Sequence, residues 1–133
     1  MAKKPIHTSG KRKSAIARAT LRPGTGKVII NNRDLNSFSD EFMIMKIREP
    51  LMLIGDAAKS LNISIKTSGG GVVGQAEAAR LAIGRALVAH DPKVKNVLEA
   101  YDRQLLVADV RRKEMRKPNT HSKARSKRQK SYR

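Results

Sequence analysis

The chain keeps its surplus positive charge at its two ends, and this limits where it can fold. Residues 1–33 carry nine Lys and Arg and no Asp or Glu. Residues 34–110 carry nine basic and ten acidic side chains, and residues 111–133 carry eleven basic ones against the single acid Glu114. The middle has the balance of an ordinary globular protein. From Lys117 to Arg133 there is no Ile, Leu, Val, Met or Phe, so that stretch cannot bury enough apolar surface to offset its ordering entropy. The organisation predicted is a globular body over residues 1–116 and an extended basic tail over 117–133. Fully stretched, the tail would reach about 55 Å at about 3.3 Å per residue. A net charge of +18 on 133 residues repels itself and attracts polyanions, which makes nucleic acid the first partner to consider.

Several classes are excluded at once. Cysteine is absent, which removes disulfide scaffolds and thiolate metal sites. The longest stretch without a charge is ten residues, Thr67 to Ala76, whereas a membrane span needs about 20 apolar residues. The start, Met1-Ala2-Lys3-Lys4-Pro5-Ile6, lacks the apolar segment of a secretory signal. An acid-free N-terminus could belong to a transit peptide, but Pro5 and Gly10 break the amphipathic helix such a peptide needs. A cytoplasmic location is expected.

Periodicity places the elements of the body. Ala15, Ala17, Ala19 and Leu21 alternate with Arg18, Thr20 and Arg22, which predicts a half-exposed strand over 14–22 with a basic outer face. Pro23-Gly24-Thr25-Gly26 marks a turn, and Lys27–Ile30 reads as the returning strand. Asn31, Asn32 and Asp34 favour a second turn. Ser39 or Asp40 can cap a helix whose Phe42, Met43, Ile44, Met45 and Ile47 make it apolar nearly all round, hence well buried. Pro50 should stop or kink it. Leu61, Ile63 and Ile65 alternate with Asn62, Ser64 and Lys66 as a further strand. From Val72 an Ala-rich pattern predicts a long helix to about His90, and Asp91-Pro92 opens another that includes Val94, Val97, Leu98 and Tyr101.

Two features could carry function. Gly69-Gly70-Gly71-Val72-Val73-Gly74 satisfies G-x-G-x-x-G between a strand and a helix. A dinucleotide fingerprint also needs a second parallel strand after the helix, ending near the acid, but here Asp91-Pro92 starts another helix. Gln75 follows Gly74, so a Lys-Ser/Thr phosphate loop fails as well. The glycines either permit a tight turn or leave helix amides open to a phosphate, including one in RNA. Catalysis has little support: His7, His90 and His121 lie far apart, and no metal or triad spacing is present. No cofactor is expected, and the chain reads as a non-enzyme. The second feature is the basic ends: Lys11, Arg12 and Lys13; then Arg111, Arg112, Lys113, Arg116 and Lys117; then Lys123, Arg125, Lys127, Arg128, Lys130 and Arg133. Aromatic residues are too few for base stacking, with Phe38 and Phe42 read as core, so contacts to phosphate and shape are expected. A free-standing histone-like protein and, more remotely, a nicotinamide-dependent enzyme using residues 69–74 stay open at this point.

Gly69-Gly70-Gly71-Val72-Val73-Gly74-Gln75, followed by Ala78, Ala82, Gly84, Arg85, Ala86 and Leu87, resembles the signature of the family of the ninth protein of the ribosomal small subunit. Gly10–Arg18 is similar to that family's first strand and Gly26–Asn31 to its second. Asp109-Val110-Arg111-Arg112-Lys113-Glu114 and the basic tail fit it as well. The resemblance covers essentially the whole chain. It implies an α+β fold: a four-stranded β-sheet with helices packed on one side, a left-handed β-α-β crossover and an extended basic C-terminal tail. It implies a place in the head of the small subunit, with ribosomal RNA, neighbouring head proteins and peptidyl-site transfer RNA as partners, and no membrane or small-molecule substrate. Ribosomal RNA would meet Lys11, Arg12, Lys13, Arg18, Gly69, Gly70, Gly71, Arg111, Arg112, Lys113, Arg116, Lys117, Lys123, Arg125 and Lys127. Transfer RNA would meet Arg128, Lys130, Ser131, Tyr132 and Arg133. Bacterial members commonly end Ser-Lys-Arg; Tyr132 stands in place of that lysine, an ending similar to archaeal and eukaryotic members. The short N-terminus favours the archaeal side.

Overall fold

Alternation along the strands divides the sheet into two unlike faces, and the helices settle on one of them. The computed structural model describes residues 4–108, 110–111, 114–118 and 124. The fold is α+β. Strands β1 (Ile6–Arg12), β2 (Ala15–Pro23), β3 (Val28–Ile30), β4 (Arg33–Asp34) and β5 (Leu61–Ser68) form one sheet in the order β1-β2-β5-β3-β4. Helix α1 (Glu41–Ile54) lies between β4 and β5, and α2 (Val72–His90) and α3 (Val94–Tyr101) follow β5. The sheet is mixed: β2 pairs antiparallel with β1 and β5, whereas β3 pairs parallel with β5. That parallel pair needs a crossover, which α1 supplies.

The covered face is built of small and branched residues. Ala15, Ala17, Ala19, Leu21, Ile30, Ile63 and Ile65 are all buried, and Ala76, Ala79, Ala82, Ile83, Ala86 and Leu87 of α2 join the same core. Alanine on both sides lets α2 approach closely, and Gly10 takes this to its limit. A Cβ there would sit 2.9 Å from the Ala82 amide nitrogen and against the Ala78 carbonyl oxygen. Thr8 is on the same face and donates its hydroxyl to the Ala82 carbonyl at 2.7 Å.

Five strands are present among the described residues, not four, and the sequence shows why the count is hard to read. The residues of β1 that face the helices are Ile6, Thr8, Gly10 and Arg12, so the strand lacks an apolar stripe. Lys13, at φ 55°, breaks the 10–18 stretch into two strands. Asn31 and Asn32, at φ 51° and 66°, make the tight turn that folds β4 back on β3 as a two-residue stub. Helix α1 also departs from expectation. It starts as predicted, with the Asp40 carboxylate accepting from the Phe42 and Met43 amides at 3.0 and 3.4 Å. It then runs through Pro50, which is buried and packs in place of the ladder bond it removes. Burial is confined to Met43, Ile47 and Pro50, while Phe42, Met45 and Met52 are 49, 66 and 75% exposed. Phe42 is therefore a surface residue, with Lys46 Nζ 5.6 Å from its ring centroid. Phe38 is half-buried against the core beneath the Arg33 guanidinium.

Candidate nucleic-acid interface

Among the described residues, no helix lies on the second face of the sheet. Cross-strand register sets its chemistry in rows. His7, Thr20 and Ser64 stand opposite one another across β1, β2 and β5, and Ser9, Arg18 and Lys66 form the next row. Rows on one face are about 7 Å apart, two residues at about 3.4 Å each. His7 Nδ1 lies 3.1 Å from Thr20 Oγ1. These side chains line an open hollow of about 520 Å³. The five strands contain six Lys and Arg but one acid, Asp34. Asp34 is on the far edge strand, where its carboxylate accepts from the Asn36 amide at 3.0 Å. The open face thus offers cations, hydroxyls and an imidazole, the donor set that suits phosphate oxygens.

At one end of this face the structure brings together two groups singled out in the sequence. The β1–β2 turn at Lys13-Ser14 abuts the Gly69–Gly71 turn. Gly69 and Gly70 adopt φ 72° and 62°, and Cβ atoms there would lie 2.5 Å from the Ser14 carbonyl oxygen and 2.9 Å from Ala15 Cβ. Their role is turn geometry and close approach. Gly71 differs: it precedes α2, and a Cβ there would meet nothing within 4 Å. The turn is held by polar contacts. Asn31 and Thr67 exchange two hydrogen bonds of 2.9 Å, and the Gln75 amide donates to the Gly69 carbonyl at 3.0 Å. After the turn, α2 leads to α3 and not to a parallel strand, so the topology is not that of a dinucleotide fingerprint.

The remaining candidates are scattered. Arg12 turns towards α2 and pairs with Glu77 at 2.8 Å. Lys11 lines a small hollow beside Arg12, Glu77 and Arg80. Arg18 is on the open face as expected from its alternation. Arg111, Arg116 and Lys117 are exposed. Arg112, Lys113, Lys123, Arg125, Lys127, Arg128, Lys130, Ser131, Tyr132 and Arg133 lie outside the described residues.

Sequence reasoning missed Lys66, whose place beside Arg18 depends on the β2–β5 register. It also missed two arginines of α2 that hold residues 102–106 against the body. Arg80, 8% exposed, donates to Glu49 Oε2 at 2.6 Å and to Asp102 Oδ2 at 2.8 Å. Arg85 donates to the Leu106 carbonyl at 3.3 Å and to the Ser9 carbonyl at 2.9 Å. Together with buried Leu105, these bonds clamp residues 102–106 onto α2 and β1. Burial pushes the Asp102 carboxyl up. The Arg80 and Gln104 hydrogen bonds and the charges of Arg80 and Lys46 outweigh it, leaving the group below its ordinary 3.8. A cation amid alanines on a buried helix face was the available signal. Among the described residues, no three His, Asp or Glu converge as metal ligands and no helix is long and apolar enough to cross a membrane.

Comparison with known proteins agrees with the resemblance. The profile of the family described as ribosomal protein S9/S16 matches residues 10–133. The small ribosomal subunit protein uS9 of Methanococcus maripaludis is 46% identical over 133 residues, covering 98% of this chain and 99% of the relative. The protein of the same name from Methanococcus vannielii is 44% identical over the same shares of the two chains.

Proposed function

The chain belongs to the ribosomal protein S9/S16 family, and from that premise we propose that it is a structural constituent of the small ribosomal subunit whose body docks on ribosomal RNA and whose basic C-terminus reaches peptidyl-site transfer RNA. The observation that carries the docking is the acid-poor open sheet face with Arg18 and Lys66 side by side. The clamp at residues 102–106 gives the cationic C-terminus a fixed point of departure. On this reading residues 1–116 form the body and 117–133 thread between phosphates, the ordering entropy offset by counterion release. Arg128, Lys130, Ser131, Tyr132 and Arg133 meet the transfer RNA, and an arginine at the tip suits phosphate through its forked donors. The crossover through α1 is left-handed, as in the family the chain resembles. Met45 and Met52, exposed on α1, suit a protein neighbour in the subunit head better than RNA. The protein acts in the cytoplasm, without cofactor or catalysis.

Sedimentation of cell extract tests the first half: the chain should co-migrate quantitatively with small subunits, whereas a free-standing nucleic-acid-binding protein would remain in the soluble fraction. Deleting Gln129–Arg133 tests the second. The body should still fold, and isolated small subunits should bind transfer RNA more weakly. Unchanged affinity in a filter-binding titration would contradict the tail's assignment.

A further inference from the structure

We propose that the Arg18–Lys66 cross-strand pair, with Ser9, His7, Thr20 and Ser64 around it, is a built phosphate site for one RNA backbone segment, and that the free protein is held below its attainable stability to keep it. The proposal rests on the ribosomal reading above and gives its sheet face a specific ligand.

Arg18 and Lys66 are direct Cα partners in the antiparallel β2–β5 ladder. Residues so placed have Cβ atoms about 5 Å apart, and like charges there are destabilising. Strands relieve such a conflict with an acid on the same face. Here the five strands supply one acid, Asp34, on the far edge and bonded to a backbone amide. The neighbours of the pair donate or accept but carry no fixed negative charge: Ser9 stands beside Arg18 on β1, and the next row holds His7, Thr20 and Ser64. The hollow these side chains line is open to solvent and holds about 520 Å³, ample for a phosphodiester. A phosphate oxygen between the two cations would turn their repulsion into two charge-assisted hydrogen bonds, and the hydroxyls can donate to the remaining oxygens.

One arrangement therefore makes two predictions of opposite sign. The experiment uses the full-length chain, with Arg18→Gln, Lys66→Gln and the double variant. Thermal melts are run at low and at about 1 M salt, alongside salt titrations of binding to small-subunit ribosomal RNA transcript and, separately, to polyglutamate. Each single variant should melt about 1–4 °C higher than the parent at low salt. The double variant should gain nothing more, because one substitution already removes the repulsion. The gain should vanish at high salt, where the Debye length is about 3 Å. Each single variant should also bind the transcript more weakly, with a log–log salt slope shallower by about 0.7–0.9, the signature of one lost phosphate contact.

A fall or no change in melting temperature for both singles would overturn the claim of stored repulsion. An unchanged slope on the transcript, with the parent still binding it, would overturn the phosphate site while leaving the ribosomal reading intact. Weakened binding to polyglutamate alone would overturn RNA as the ligand and make this face a contact for an acidic protein. A parent chain that binds no ribosomal RNA would instead sink the reading on which the proposal stands.

Discussion

The two faces of the sheet are made by the same strands and follow opposite rules. On the covered face of β2, Ala15, Ala17, Ala19 and Leu21 are at most 2% exposed and meet an alanine-rich helix. On the open face of the same strand, Arg18 and Arg22 stand in solvent. The strands together hold six cations and one acid, whereas α1, α2 and α3 hold five cations and four acids. Among the described residues, charge is close to balanced on the helices and strongly positive on the strands, where all but Arg12, paired with Glu77 of α2, carry the excess away from the helices. Period-two alternation lets one strand serve both ends, stability inward and, on the proposed reading, recognition outward, and substitutions on the two faces should separate accordingly.

The largest effect should come from the covered face. Ile65→Ala removes a fully buried branched side chain and should cost about 2–5 kcal/mol of unfolding free energy in a denaturant titration. The affinity of the folded fraction for ribosomal RNA should not change. Arg80→Ala should come next. It leaves Glu49 and Asp102 without their shared cation, and since those partners are 26 and 38% exposed, the loss should be about 2 kcal/mol, short of the cost for a fully buried pair. Hydrogen exchange should show residues 102–106 opening first.

Asp102→Asn should cost less and only at some pH values. The folded-state carboxyl titrates below its ordinary 3.8, so its contribution is present above that value and is lost as pH falls through the lower folded one. The gap in stability between parent and variant should be full at neutral pH and close in strong acid. A gap that widened on acidification would reverse the assignment. The smallest stability change is expected for Arg22→Gln on the open face, within about 0.5 kcal/mol, with a measurable effect on the salt dependence of RNA binding.

How much of this could be read from the sequence varies by element. The strand at Ala15–Leu21 and the helix at Val72–His90 announce themselves because one stripe of each is apolar. Strand β1 does not, since its inward residues include Thr8 and Gly10, which are there to admit the backbone of α2 and are not apolar bulk. The exposure of α1 is not legible in its composition, which cannot say that helices pack on one side only and that Met45 and Met52 remain outside. Of the candidate interface, Arg18 is legible from alternation and Gly69–Gly71 from the motif. Lys66 joins the candidate interface only through the register that sets it opposite Arg18, and the role of Arg80 depends on Glu49 and Asp102, distant in sequence, meeting it.

On the proposed reading, RNA covers the open face of the sheet in the assembled particle. Lysine acetylation read by mass spectrometry, comparing the free chain with intact small subunits, tests it at Lys66. Lys66 should be modified rapidly in the free chain and strongly protected in the subunit, with the protection lost when the RNA is digested. Modification of Lys66 at the same rate in both states would contradict it.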